Sequence, residues 1–270
     1  MNDTYILSVT TFVYFFAAFF YLSSLFFHKR FVERVALIFV CSGCALHTVA
    51  IGIRWIISYH LGIGHAPLSN FYESLVFFSW AIIFVFLLMI RRYKQPTIGM
   101  FASFFAFLLL AYASLSGQVA HEIQPLIPAL QSNWLISHVI SSFLAYACFT
   151  ISFGASVVTL TRLIGRISTD TDFWEDVTYR MISMGFVLLT LGIITGAAWA
   201  DRAWGRYWGW DPKETWSLIT WLIYGTFLHA RLIGKWRGLR MSLISILGFL
   251  AVMFTYLGVN YILSGMHSYL

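Results

Sequence analysis

Eight apolar stretches of about 20 residues each, at about 5–27, 35–58, 71–90, 97–116, 135–160, 178–200, 216–233 and 241–263, constrain this chain more than any other feature. A helix of that length rises ~30 Å, the thickness of the hydrocarbon core of a bilayer. Only elements that satisfy their own backbone hydrogen bonds cross such a layer, so the stretches read as helices. With 60% hydrophobic and 10% charged residues and a mean hydropathy of +0.79, a soluble globular chain is excluded. The expectation is an all-α integral membrane protein, a bundle of about eight transmembrane helices, with residues 1–270 as a single polytopic domain. The first stretch carries Asp3 in place of a basic leader, is too long for the apolar region of a signal sequence and shows no small-residue cleavage site, so it is expected to be retained.

Basic residues recur in every second loop: Lys29, Arg30 and Arg34; Arg91, Arg92 and Lys94; Arg162, Arg166 and Arg180; Arg231, Lys235, Arg237 and Arg240. These are 13 of the 17 Lys and Arg residues, which makes those loops cytoplasmic and puts both termini on the outer side. The net charge of +6 is then a topology signal and no nucleic-acid footprint. Asp172 with Glu175 reads as a capping box opening a short helix before the sixth span. Cys41, Cys44 and Cys148 form no disulfide framework, and the Cys-Ser-Gly-Cys run lacks the following histidine of a haem attachment site. Three outer loops are sizeable, at about 59–70, 117–134 and 201–215, and function is expected there or between the helices.

The densest chemistry lies in the loop at 201–216. From Trp204 to Trp216 it holds four tryptophans, at 204, 208, 210 and 216, together with Tyr207, Gly205 and Gly209. Interfacial anchoring explains single tryptophans, and Asp211, Pro212 and Glu214 suit the start of the seventh helix. The surplus of rings predicts a flat aromatic surface for a large planar apolar ligand, with the two glycines allowing close approach. Haem is the obvious candidate.

The segment WGRYWGWDPKETWSLITWLIYGTFLHAR resembles the tryptophan-rich WWD signature of the CcsA (ResC-like) family of system II cytochrome c biogenesis. A second block, from Pro67 through Asn70, Tyr72 and Glu73 to Trp80, is similar to that family's other outer-loop motif. Relatives of the CcmC and CcmF types differ after the aspartate. The resemblance implies a cytochrome c synthase that presents haem b at the outer face for thioether attachment to the CxxCH segment of apocytochrome c.

Histidines place the iron, since haem is commonly held by axial imidazoles. His138 lies about one turn inside the outer end of the fifth span, beside Ser141, Ser142 and Ala145, and His267 follows the eighth span at the same level. His229 lies 13 residues below Trp216, roughly 20 Å deeper by helical rise. Two levels predict two haem stations. In the family resembled, His138 and His267 correspond to the outer axial pair and His229 to a transmembrane ligand, with its second ligand on a partner subunit. His47, mid-span, is the alternative second ligand; His28, His60, His65 and His121 read as solvated surface residues. Glu73 reads as the N3 residue of a helix capped by Asn70.

Trp204, Trp208, Trp210 and Trp216 are the expected haem-binding rings, with Trp208, Trp210 and Asp211 joining His138 and His267 in the catalytic set. Propionates would seek Arg54, Arg202, Arg206 or Lys213, of which Arg54 and Arg206 are the leading expectations. The resemblance further implies a CcsB/ResB-type membrane subunit, without which the chain is inactive, and a thiol-disulfide reductant. The membrane is a bacterial plasma membrane, or a thylakoid membrane if the chain is plastid-encoded, with the active site on the periplasmic or lumenal face. A haem exporter or scaffold without synthase activity, and a b-type haem redox subunit, are the alternatives. Two of the three best histidines lie at the rim, which disfavours the redox subunit.

Overall fold

The computed structural model describes residues 2–116, 121–126, 128–166 and 170–263. Its helices are α1 Asn2–Phe27, α2 Arg30–His60, α3 Phe71–Tyr93, α4 Pro96–Leu115, α5 Asn133–Ile164, α6 Thr171–Trp204, α7 Pro212–Leu232, α8 Leu239–Met253 and α9 Val259–Ile262. A π-helical turn, Phe254–Gly258, joins α8 to α9, so Leu239–Ile262 forms one continuous span. No strand occurs among the described residues, and the chain is an all-helical membrane protein. Seven helical runs are long and apolar enough to cross a membrane. The remaining long helix, α7, is less apolar because Thr215, Thr220, Thr226, His229 and Arg231 interrupt its Trp and Leu residues.

At 34 residues α6 rises ~50 Å, well beyond a hydrocarbon core. It absorbs the short helix expected before the sixth span. Glu175 forms no capping box; its carboxylate accepts from Arg231 at 2.8 Å and from the Gly238 backbone N–H at 2.7 Å, while Asp172 meets Arg237 at 3.3 Å. Partners distant in sequence therefore took the acids that a local cap would have used.

The helices gather into two compact units, Met1–Gln131 and Ser132–Leu270. In the first, α1 packs on α2 and α4, and α3 packs on α4. His47 is fully buried there, its Nδ1 3.3 Å from the Tyr14 hydroxyl. Its other ring nitrogen, Nε2, is buried without a hydrogen-bond partner among the described residues. Contrary to the surface expectation, His65 is also buried, with Nδ1 2.8 Å from the Ala66 carbonyl and Nε2 3.1 Å from that of Gln124. His28 and His60 are exposed, as expected.

One end of the first unit closes on a buried charge cluster. Arg54, 3% exposed, donates through Nε to Glu73 at 2.9 Å, through one terminal nitrogen to Asp3 at 3.1 Å, and through the other to the His121 carbonyl at 3.0 Å. Its guanidinium lies 5.0 Å from the centre of the Tyr72 ring. Asn70 caps α3 by accepting from the Glu73 N–H, as expected, and the other Glu73 oxygen accepts from the Ser69 backbone and hydroxyl. Arg54 thus ties α1, α2, α3 and the 121–126 segment together. Replacing it with methionine leaves two buried carboxylates without their cation, a loss of about 3–5 kcal/mol. Thermal unfolding in detergent should show a clearly lowered midpoint for Arg54→Met; a parental midpoint would show the cluster to be dispensable.

In the second unit α5 and α6 pack antiparallel along their length, and α8 packs on α5 and α7. Their register can be followed pair by pair. The Ser156 hydroxyl lies 3.3 Å from that of Thr178, and a Cβ on Gly185, Gly192 or Gly196 would lie 2.6 Å from Phe149, Ser142 or His138 respectively. Every step up α6 is matched by an equal step down α5. Small residues let backbones approach closely where lipid offers no hydrophobic drive between helices, and this seam ends at His138.

Candidate functional site

His138 belongs to the second turn of α5, whose first turn is capped by Ser132 accepting from the Trp134 N–H. Its ring leans on α6, where Nδ1–H donates to the Gly192 carbonyl at 2.7 Å. A neutral imidazole with its proton on Nδ1 carries its lone pair on Nε2, the arrangement by which protein histidines present a nitrogen to a metal. Trp199 lies nearly parallel to the imidazole, with centroids 6.3 Å apart and planes at 14°. Trp204 then meets Trp199 at 4.8 Å and 66°. A chain of rings runs from His138 to the start of the tryptophan-rich loop.

The loop begins where α6 stops at Trp204. Gly205 takes a left-handed backbone, φ +70°, and its N–H donates to the Asp201 carbonyl at 2.8 Å. Its role is the helix C-cap, which favours glycine because a Cβ is strained there. Gly209 serves a different close approach from the one expected, because a Cβ there would lie 2.8 Å from the Arg206 guanidinium, which folds back over the loop. Trp210 also has positive φ, +57°, unusual for a tryptophan and characteristic of backbone held by its surroundings.

The hold comes from the next helix. Asp211 and Glu214 form a capping box at the start of α7; Glu214 accepts from the Gly209 N–H at 2.7 Å and the Asp211 N–H at 3.1 Å, and Asp211 accepts from the Lys213 N–H at 3.2 Å. Asp211 is buried, 6% exposed. The flat surface expected of the loop is not what forms. Trp208 and Trp210 meet at 5.7 Å and 88°, the edge-to-face arrangement that aromatic quadrupoles favour. Trp210 and Tyr207 stay exposed, at 68% and 64%. Trp216 turns away to pack on Phe254, 4.2 Å between centroids, the first residue of the π-helical turn.

The expected residues thus fall into groups. His138 joins the loop through Trp199, whereas Trp216 supports the last span. Arg206 lies on the loop itself, while Arg54 is consumed in the first unit, with three of its N–H donors committed to acceptors. In this arrangement the side chain holds the first unit together. His229 is exposed in the last turn of α7, on the same unbroken helix as Trp216. His267 lies outside the described residues. Trp199, Gly192 and Gly196 were not singled out in sequence. The legible signal was the glycine spacing of seven and four residues in the sixth span, which marks a helix face built for close contact.

Residues 68–267 match the family described as Cytochrome C assembly protein. The chain is 37% identical over 252 residues to a protein named Cytochrome c biogenesis protein CcsA from Guillardia theta, covering 84% of this chain and 82% of that one. A protein of the same name from Prochlorococcus marinus is 35% identical over 273 residues, covering 88% and 84%. One from Chlamydomonas reinhardtii is 42% identical over 216 residues, and the match spans 61% of its length. With the tryptophan-rich loop set between α6 and a capped α7, and relatives aligned over most of their length, this chain belongs to the CcsA family of cytochrome c assembly proteins.

Proposed function

We propose that the chain is the haem-handling subunit of a cytochrome c synthase, presenting haem b at the outer face of the membrane for attachment to the CxxCH thiols of apocytochrome c. The observation that carries this reading is the Nδ1–H bond from His138 to the Gly192 carbonyl, which sets the tautomer an axial ligand needs beside a stacked tryptophan. Haem is substrate here and not a resident group. His138 and His267 hold its iron from two sides, Trp204, Trp208 and Trp210 line its faces, and Arg206 faces a propionate. Asp211 acts through its cap, which sets the loop backbone, and Trp216 acts through Phe254. Haem and thiols supply the bond-forming chemistry; the protein supplies orientation.

His229 serves a deeper station. Its exposure on α7 suits a site completed by a CcsB/ResB-type partner subunit, with His47 the alternative source of the second ligand. A thiol reductant keeps the apocytochrome cysteines reduced. Both termini and the tryptophan loop face the periplasm or lumen of a plasma or thylakoid membrane, as the alternation of basic loops indicates.

The first test is the absorption spectrum of the chain co-purified with its partner. Bands of low-spin bis-histidine haem are expected, and a colourless complex would exclude the reading. Loss of cytochrome c maturation in cells lacking the chain, while their haem export persists, would separate a synthase from an exporter. Trp208→Ala and Trp210→Ala should insert normally yet lower haem at the outer station by about tenfold, the equivalent of one ring contact at ~1–1.5 kcal/mol. If membrane insertion falls instead, the rings serve as interfacial anchors.

A further inference from the structure

The seam between α5 and α6 ends where its last glycine faces an imidazole. A Cβ on Gly196 would lie 2.6 Å from His138 Nδ1 and 2.9 Å from Cε1, distances that no methyl group tolerates. One turn earlier on α6, the Gly192 carbonyl receives the Nδ1–H at 2.7 Å and also the Thr195 hydroxyl at 3.2 Å. The carbonyl of a helical residue is ordinarily shielded by the side chain four residues on, since Cβ bonds tilt toward the helix N-terminus. At this carbonyl that residue is Gly196. The missing methyl is therefore what admits the ring to the backbone of the neighbouring helix.

Trp199 lies nearly parallel to the ring, 6.3 Å between centroids, and Ser142 meets Gly192 one turn away on the seam. The equal steps of the seam bring 196 opposite 138, so the socket is a consequence of helix register.

We propose that Gly196 and the Gly192 carbonyl form a positioning socket for His138, fixing its tautomer and ring orientation so that Nε2 is presented to haem iron. Gly196 is a positioning residue; it touches the ligand histidine and not the substrate. The proposal rests on the reading of His138 as an axial ligand.

Three variants, each produced with the partner subunit, test it by haem content, absorption spectrum and maturation with and without added imidazole. His138→Ala checks the underlying reading: if it keeps full haem and maturation, that reading fails, whatever Gly196 does. Gly196→Ala should lower outer-site haem by on the order of tenfold or more, the usual scale for losing a partner of a metal-ligating histidine. Imidazole should restore His138→Ala but not Gly196→Ala, whose methyl still fills the socket. Gly185→Ala makes an equal clash, 2.6 Å from Phe149, lower on the same seam. It should weaken the fold while leaving the spectrum and the imidazole response of the parent. Identical behaviour of Gly196→Ala and Gly185→Ala would reduce the socket to ordinary packing.

Should Gly196→Ala fail to accumulate, the His138→Ala protein carries the test alone. Imidazole, with one nitrogen directed at the iron, can donate its N–H to the Gly192 carbonyl, whereas 1-methylimidazole has no donor there and places a methyl where none fits. Rescue by imidazole at tenfold or more lower concentration supports the socket. Equal rescue by the two bases overturns it.

Discussion

His138→Ala should abolish cytochrome c maturation while leaving the protein inserted and its deep haem station filled. The expectation follows from the place of the side chain in the fold. His138 lies near the end of the α5/α6 seam, so truncation removes its bond to the Gly192 carbonyl and its stacking on Trp199 while the contacts at Gly185 and Gly192 remain. What is lost entirely is the axial nitrogen, for which no other histidine in the described part of the second unit substitutes: His229, the only one, sits at the far end of α7. Millimolar imidazole should partly restore maturation by entering the vacated space. His267→Ala, on the other side of the iron, should behave in the same way. Normal maturation by either variant without imidazole would mean that the axial assignment is wrong.

His229→Ala should have the opposite pattern, emptying both stations. Trp216 and His229 lie on one continuous α-helix, so 13 residues of helical rise put about 20 Å between them. One haem cannot serve both levels. If haem enters from the cytoplasmic side, loss of the deep ligand starves the outer pair, whereas loss of the outer pair leaves haem held at the deep one. Haem content in His229→Ala and His138→Ala, each co-produced with the partner, therefore reports direction as well as place. Outer haem that persists in His229→Ala would show that haem arrives by another route. Because His229 is exposed on α7, its replacement leaves no buried polar group unsatisfied, and a general loss of stability is not expected.

The helical class and the positions of the spans were legible because lipid imposes a single, local rule: about 20 apolar residues with internal hydrogen bonding. The tryptophan loop was legible because its composition exceeds what anchoring requires, and the caps at Asn70 and Asp211 because capping acts over three or four residues. Local rules failed where a distant partner competed. Glu175 left its expected cap for Arg231 and Gly238, Arg54 was taken by Asp3 and Glu73 from 51 and 19 residues away, and His65 was buried by carbonyls at 66 and 124.

The same division holds at the site. His138 stood out by itself, since an ionisable side chain in an apolar span is costly and calls for a function. Its proton position, its stacking on Trp199 and its dependence on Gly196 did not. Those follow from the register of α5 against α6, which brings together residues 54 to 61 positions apart. Likewise composition makes the loop rich in rings, but packing sets Trp208 and Trp210 perpendicular and seats Trp216 on the π-helical turn. The physical reason is one of range: helix formation, capping and membrane partition are decided by neighbours in the chain, whereas the direction in which an aromatic ring or an imidazole faces is decided by whichever helix lies against it.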